Sequence, residues 1–466
     1  MPMRNISVLM MNRPGVLAGV SALFASIGCN IERLTVAEGR TPGVARMKLT
    51  AAIEDDRLEW LMQRLAALKD VIQVSAGKVR AGPAAFWIVA YSLFATILGI
   101  NVASPLYAVY REQWGLTDGM VTLVFAAYAL AVIPSIVVFG QLSDRIGPKK
   151  LLIGGVASAL AGSLCMAAAT GLPMLLLARI LQGLSVGILN GVAVAAMTAL
   201  RRDRAKHKAA ATGALAVTAG NALGPVMSGL LAEFAPYPTK LPYLAHALLS
   251  LPGLLGLLLV VMKVKTNPAS RLHWPSVRPG IRGIFYSASA ASFIAWGVIG
   301  MFMSVIPSSM NEWIGKPSFL VAGVTVALSL AVSTLSQLLF KALSPVRMVA
   351  IGYLTLAAGL GTVVASVTQQ SAALLLLSAC LVGMGHGPLY AASLTAVNQA
   401  APDDSRGDLV SFFYVITYLG VALPVLGLGY AQQSIGLTGA VEAFSAAMAG
   451  FSVIGILSWL QFNRRK

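Results

Sequence analysis

Two patterns of apolar and polar positions divide the chain. Up to about residue 80 the apolar runs are short and change period. Ile6-Ser7-Val8-Leu9-Met10 reads as a strand, and Arg13-Pro14-Gly15 is turn chemistry opening a helix through Leu17, Val20, Leu23 and Phe24 that ends at Gly28. Strands follow at 31–37 and 44–53, with Gly39 and Pro42-Gly43 as punctuation between them. A helix over 57–68 places Leu58, Leu61, Met62, Leu65 and Leu68 on one face, and a last strand runs over 71–79. The order βαββαβ predicts a small ferredoxin-like α+β sandwich.

From Ala84 onward the pattern changes to apolar segments of spanning length, about 20 residues each. Twelve are expected, at 84–107, 121–142, 151–169, 172–200, 209–234 and 241–264, then at 284–306, 319–343, 348–367, 372–396, 409–430 and 440–462. The stretch 265–283 between the sixth and seventh is polar, basic and proline-bearing. The expected organisation is a front domain over 1–80, a linker at 81–83, a six-helix bundle over 84–264, a loop over 265–283, and a second bundle with its tail over 284–466.

Composition agrees with that division. The 466 residues are 57% hydrophobic and only 11% charged, against about 25% charged in ordinary soluble domains. Residues 1–84 hold 11 of the 34 basic and 7 of the 17 acidic side chains, so soluble charge density is confined to the front. The start, Met1-Pro2-Met3-Arg4-Asn5-Ile6, has neither the apolar core nor the small-residue cleavage site of a signal peptide. Three scattered cysteines, Cys29, Cys165 and Cys380, support neither a disulfide framework nor a metal site and are expected to be buried thiols. A net charge of +17 would by itself admit nucleic-acid binding. Its distribution removes the need for that partner. One set of loops carries Arg145, Lys149, Lys150, Arg201, Arg202, Arg204, Lys206, Lys208, Lys263, Lys265, Arg271, Arg278, Arg282, Lys341, Arg347, Arg406, Arg464, Arg465 and Lys466, and the other only Arg111, Lys240 and Lys316. The positive-inside rule then places both termini in the cytoplasm of a multi-pass protein of the cell's inner membrane.

The halves of the apolar part repeat. Leu175-Leu176-Leu177-Ala178-Arg179, with Gly183 and Gly187, aligns with Leu375-Leu376-Leu377-Ser378-Ala379, with Gly383 and Gly387. Gln141-Leu142 near Arg145 recurs as Gln337-Leu338 near Lys341. Parallel repeats of six helices imply two bundles with a path between them, the architecture of alternating access.

Several motifs carry family likeness. Asn12-Arg13-Pro14-Gly15-Val16-Leu17, Leu23-Phe24, Gly28-Cys29-Asn30-Ile31-Glu32 and Leu34-Thr35-Val36-Ala37 resemble an ACT domain, specifically the regulatory small subunit of acetolactate synthase. The resemblance extends through Asp70-Val71-Ile72-Gln73-Val74. It implies side-by-side pairing, hence a homodimer, and an amino-acid effector such as valine held by Asn12, Gly15 and Asn30. Free helix N–H groups after Gly15 suit a carboxylate, and the Asn amides suit its amino and carboxylate groups. The plainer alternative is that Gly15 makes a turn and Asn30 accommodates a left-handed helix end.

Gly140-Gln141-Leu142-Ser143-Asp144-Arg145-Ile146-Gly147-Pro148-Lys149-Lys150 resembles the signature loop of the major facilitator superfamily. That implies a twelve-helix fold in which Gly140 and Gly147 allow tight turns while Asp144, Arg145, Lys149 and Lys150 latch the halves. Pro148 departs from the pattern, and Phe340 stands where the second half would repeat Asp144. Gly220, Gly224 and Pro225 resemble the antiporter motif of exporters in the same superfamily, with Ser228 replacing one glycine. Arg179, followed by Gln182, lies deep in an apolar segment where insertion costs about 2.5–3.5 kcal/mol, so it requires a partner, a carbonyl cluster or a wet cavity. The resemblance implies a role in proton coupling or substrate binding. No acid at membrane depth accompanies it. Asn101, Tyr107, Asn190, Asn221, His246, His386 and Tyr390 are candidates to line the path. With no phosphate-cradling loop, zinc spacing or nucleophile elbow, no cofactor, metal, enzymatic activity or ATP-driven step is expected.

These features predict a proton-coupled exporter of a small organic solute, embedded in a lipid bilayer and regulated by an amino acid at its front domain. Two alternatives remain: a membrane-tethered regulatory subunit for an acetolactate synthase, or a sensor that no longer transports.

Overall fold

The alternating front segment folds into β1 (Met3–Met11), α1 (Val16–Ser26), β2 (Ile31–Glu38), β3 (Val44–Ala52), α2 (Asp55–Ala66) and β4 (Val71–Lys78). The four strands form an antiparallel sheet in the order β2-β3-β1-β4. Ile6 pairs with Leu49 and Val8 with Met47, so the period-two apolar positions of β1 and β3 share one face. Val20 and Phe24 of α1 and Leu61 and Leu65 of α2 cover that face, all of them buried. Gly28 takes the left-handed conformation that ends α1 (φ 65°). Asn30 does not, so accommodating a helix end is not its role.

The computed structural model describes residues 3–39, 43–78, 83–200, 206–260, 262, 277–315, 318–402 and 406–464. They form two compact units, one over residues 1–82 and one holding nearly all of the remainder. In the second unit α3 (Pro83–Asn101) and α4 (Tyr107–Trp114) are followed by α5 (Asp118–Ile146), α6 (Pro148–Ala167), α7 (Leu172–Leu200), α8 (Lys206–Phe234) and α9 (Leu241–Leu259). The second half is α10 (Arg282–Met303), the short turns α11 (Val305–Ser308) and α12 (Met310–Ile314), then α13 (Phe319–Phe340), α14 (Pro345–Thr368), α15 (Ala372–Ala400) and α16 (Arg406–Arg464). Among the described residues eleven helices are long and apolar enough to cross a membrane. The last, α16, contains two spans: Gly436 (φ 72°, ψ 172°) breaks it where a loop was expected, which gives the twelve spans read from the sequence.

Backbone chemistry explains the other irregularities. α3 ends at Asn101 and α10 at Met303, each four residues before a proline, Pro105 and Pro307. Proline has no N–H for the carbonyl four residues back, so both halves lose the helical bond at equivalent places. Gly147 (φ 86°) alone forms the turn between α5 and α6, and Pro148 is the first residue of α6, where its missing N–H costs nothing. That accommodates the departure of Pro148 from the family pattern.

The repeat is visible in packing. A Cβ on Gly183 would strike the carbonyl of Tyr128 in α5, and one on Gly383 that of Ser329 in α13. Gly187 lies on Ser135, Gly387 on Ser333, Gly155 on Leu189 and Gly352 on Leu389. The halves meet where α8 packs on α13 and α5 on α16. The three cysteines are half-buried rather than buried. In the front unit the Cys29 thiol donates to the Ala52 carbonyl (3.0 Å), and burial pushes its pKa up against the opposing pull of Arg57.

Candidate functional site

Arg179 is buried on α7 and donates to neutral acceptors rather than to an acid. Its Nη1 donates to the carbonyl of Ile100 (2.9 Å) and to Gln182 Oε1 (2.8 Å), and its Nε to the carbonyl of Val124 (3.2 Å). The guanidinium lies 4.4 Å from the ring centroid of Tyr128. Ile100 stands in the last turn of α3, so the break at Asn101 frees a carbonyl for the arginine. Of the three environments open to Arg179, the carbonyl cluster is the one observed. Tyr107 packs nearby on Phe125, its buried hydroxyl without a partner, and Gln182 Nε2 is likewise unpaired.

Asn190 lies on the same helix and reaches the junction of the halves, where its Nδ2 donates to the Tyr418 hydroxyl of α16 (3.1 Å). On the second-half side, His386 stacks on Tyr390 (5.8 Å between centroids) and meets Trp296 of α10 edge to face (4.8 Å). Tyr390 stacks on Phe413, and its hydroxyl interacts with that of Tyr414. Among the described residues no aspartate or glutamate is buried in this unit. The junction therefore pairs aromatic faces with neutral donors and acceptors, plus one arginine behind them. Trp296, Tyr128, Tyr414 and Tyr418 were not anticipated. Tyr414 and Tyr418 do stand four apart on one helix face, a signal that could have revealed them.

Three other candidates lie within the first half. Asn101 Nδ2 donates to Asn221 Oδ1 (2.9 Å), tying α3 to α8. His246 is fully engaged, its Nδ1 against Ser163 Oγ (2.7 Å) and its Nε2 against the Ala95 carbonyl (2.9 Å) and Ser250 Oγ (3.0 Å). Gly99 gives that ring its space. His246 thus fastens helices together and has no nitrogen left for a solute.

The motif glycines pack helices closely. Gly220 and Gly224 of α8 lie against the backbone of α3, while Gly229 abuts the Phe319 carbonyl and Gly323 abuts that of Pro225 across the junction. The antiporter-like stretch is therefore seated where α8 meets α13. In the signature loop Gly140 faces Gly191 of α7, Arg145 and Lys150 are exposed, and Lys149 Nζ donates to the Leu258 carbonyl (3.0 Å) at the end of α9. A cation at a helix C-terminus is favourably placed. The side chain of Asp144 lies outside the described residues.

At the opposite end of the bundle stands a cluster absent from the sequence reading. Arg111 of α4 pairs with Asp118 of α5 (3.3 Å) and, across the junction, with Glu312 of α12 (2.8 Å). Glu233 Oε2 accepts from the backbone N–H of Phe319 (2.8 Å), and Gln433 Nε2 donates to Thr117 Oγ1 (3.0 Å). A cavity of about 190 Å³ lies among Arg111, Ser309, Glu312 and Phe319. These bonds close that end.

In the front unit Asn12 and Gly15 stand at the end of β1 and the start of α1, and the α1 N-terminus carries no side-chain cap. Asn30 opens β2 at the other end of the sheet. Met11 pairs with Val44 and Ile31 with Ala51, so the two positions are separated by that length of β3, roughly 23 Å at strand rise. One chain does not bring the three residues to one ligand.

Residues 6–73 match an acetolactate synthase (AHAS) small subunit-like ACT domain, and residues 89–425 match the Major Facilitator Superfamily. The chain belongs to the major facilitator superfamily. This major facilitator protein is a multi-pass membrane protein. It is 22% identical over 401 residues to an uncharacterized MFS-type transporter of Methanocaldococcus jannaschii, covering 83% of this chain and all of that one. It is 24% identical over 178 residues to the quinolone resistance protein NorA of Staphylococcus aureus, covering 38% and 44%. Its front domain is 48% identical over 69 residues to a probable acetolactate synthase small subunit of Methanothermobacter thermautotrophicus, covering 15% and 41%. A crystal structure of the peptide transporter POT shares the fold at a TM-score of 0.68 and 14% identity, covering 82% and 94%.

Proposed function

We propose that this protein is a proton-coupled exporter of a small organic solute, working by alternating access, with both termini in the cytoplasm of the inner membrane. The observation that carries this reading is the junction itself. Across it Asn190 meets Tyr418, which stands beside Tyr414, Tyr390 and Trp296 of the second half, and one end is bridged by Arg111 and Glu312. Two rigid bundles joined by few polar bonds are suited to rocking about a central site. The antiporter-like glycines at α8–α13 and the NorA likeness support export. Gating by the front domain follows if valine binds one transporter state better than the other, since a ligand biases states only through differential affinity. The separation of Asn30 from Asn12 and Gly15 favours an effector site shared by two copies, and the exposed Leu34 and Val36 of edge strand β2 suit such pairing.

The test is efflux and counterflow in proteoliposomes with a fluorescent quinolone and labelled branched-chain amino acids, with and without a pH gradient. Gradient-driven flux that Asp144→Asn abolishes, and that deletion of residues 1–80 preserves while removing a valine response, supports the reading. No flux of any probe under either condition sinks it. A second reading, a membrane-tethered regulatory subunit of acetolactate synthase, is favoured by the 48% identity of the front domain. Co-purification of a synthase catalytic subunit would support it.

A further inference from the structure

An exporter driven by protons needs a group that binds and releases one within the membrane. Among the described residues the buried charged or imidazole side chains of the transport unit are Arg179, His246 and His386, with no carboxylate. A guanidinium does not give up its proton in a protein. His246 has both nitrogens engaged. His386 differs: Nδ1 lies 2.7 Å from Ser333 Oγ, while Nε2 is buried without a hydrogen-bond partner.

We propose that His386 is the protonation site of this transporter; the proposal rests on the proton-coupled reading above. Its surroundings fit a ring that changes charge. Tyr390 stacks at an interplanar angle of 14° and Trp296 stands at 89°, and aromatic faces attract an imidazolium by cation–π interaction. Trp296 of α10 and Ser333 of α13 meet the ring itself, Gly352 and Leu356 of α14 meet the adjacent Gly385, and Phe413 and Tyr414 of α16 meet Tyr390, none of them charged. Arg179 belongs to the other half. His386 can thus take or lose a proton with no fixed ion dictating its state.

The helix around it lacks one backbone hydrogen bond. Gly385 and Gly387 flank His386 and pack directly on α14 and α13, and Pro388 removes a helical hydrogen bond one turn back. From the ring, Tyr390 leads to Tyr414, one turn from Tyr418, whose hydroxyl accepts from Asn190 of the first half (3.1 Å). A proton on His386 thereby acts on the contact that joins the halves.

The test uses the full chain in nanodiscs, 15N-labelled at histidine and titrated by NMR, with tryptophan emission followed in parallel. We expect a titrating imidazole that is lost in His386→Gln. Trp296→Phe should retain that titration and lose a pH-dependent change in emission. Arg111→Gln does not touch His386 but weakens the closed end, and should move the midpoint by up to about fivefold in proton affinity through linkage. Lys240→Gln, which removes an exposed cation at the same end, should leave it in place. A resonance that never titrates, one that survives His386→Gln, or a midpoint that stays in place although Arg111→Gln opens that end by spin-label distances overturns the proposal. Failure of the coupled reading itself registers elsewhere, as wild-type flux that ignores a pH gradient.

Discussion

Arg111 and Glu312 stand 2.8 Å apart, Nη2 to Oε1, joining the end of the first span to the end of the seventh. Asp118 shares the same guanidinium at 3.3 Å. The three charges are partly exposed, so each pair alone contributes little, but Glu312 and Arg111 belong to different halves, so their pair favours this end closed. Arg111→Gln is expected to shift the closed-to-open balance by about 1 kcal/mol, roughly fivefold. Spin labels placed across the junction at this end should report a larger fraction of long distances, and high salt should move the wild type in the same direction. Unchanged distance distributions would show that the pair follows closure without favouring it.

The duplicated glycines make a prediction in pairs. A methyl on Gly183 or Gly383 meets a backbone carbonyl that a side-chain rotation cannot move aside. Gly183→Ala and Gly383→Ala should each cost about 1–3 kcal/mol of stability, read as a fall in melting temperature in detergent. Gly154 and Gly361 have open space where a Cβ would go, so alanine there should be neutral or mildly stabilising. If all four variants melt alike, close helix approach is not what these glycines secure.

Arg179 tests whether charge or shape matters in the first half. Arg179→Lys keeps the charge but cannot serve Ile100, Val124 and Gln182 together. At least one buried acceptor is left unpaired, at about 1–3 kcal/mol. The expected result is a folded protein with a lowered melting temperature and reduced transport. Wild-type melting and flux in this variant would mean that the positive charge alone suffices.

The parts legible in the sequence were those with a local or periodic cause. Spans, repeat, front-domain order and the Gly147 turn follow from apolar period, glycine spacing and proline placement. The closed-end cluster was not legible, because Arg111, Asp118 and Glu312 come from separate loops and read individually as ordinary interfacial charges. Asn190 was a candidate on its polarity alone, but nothing local tied it to Tyr418, 228 positions away. The Gly385-His386-Gly387-Pro388 setting marks His386 in the sequence, but nothing local shows that His246 is fully bonded. Only the positions of Ser163, Ser250 and the Ala95 carbonyl separate a satisfied ring from one with a free nitrogen.

The proposed effector site yields the most discriminating prediction, because it turns on which chain supplies which residue. Asn12 and Asn30 lie at opposite ends of one sheet, so a shared site would take Asn12 from one copy and Asn30 from its neighbour. Asn12→Ala and Asn30→Ala full-length chains should each bind valine weakly on their own. When the two variants are co-expressed and mixed dimers isolated by distinct tags, one site has lost both residues and the other retains both. Such dimers should bind valine with wild-type affinity at half the wild-type stoichiometry, measured by calorimetry in nanodiscs. Were the site built within one chain, each chain of the mixed dimer would carry a defect and no full-affinity site would form. The mixing experiment therefore separates the two geometries even though the single variants behave alike.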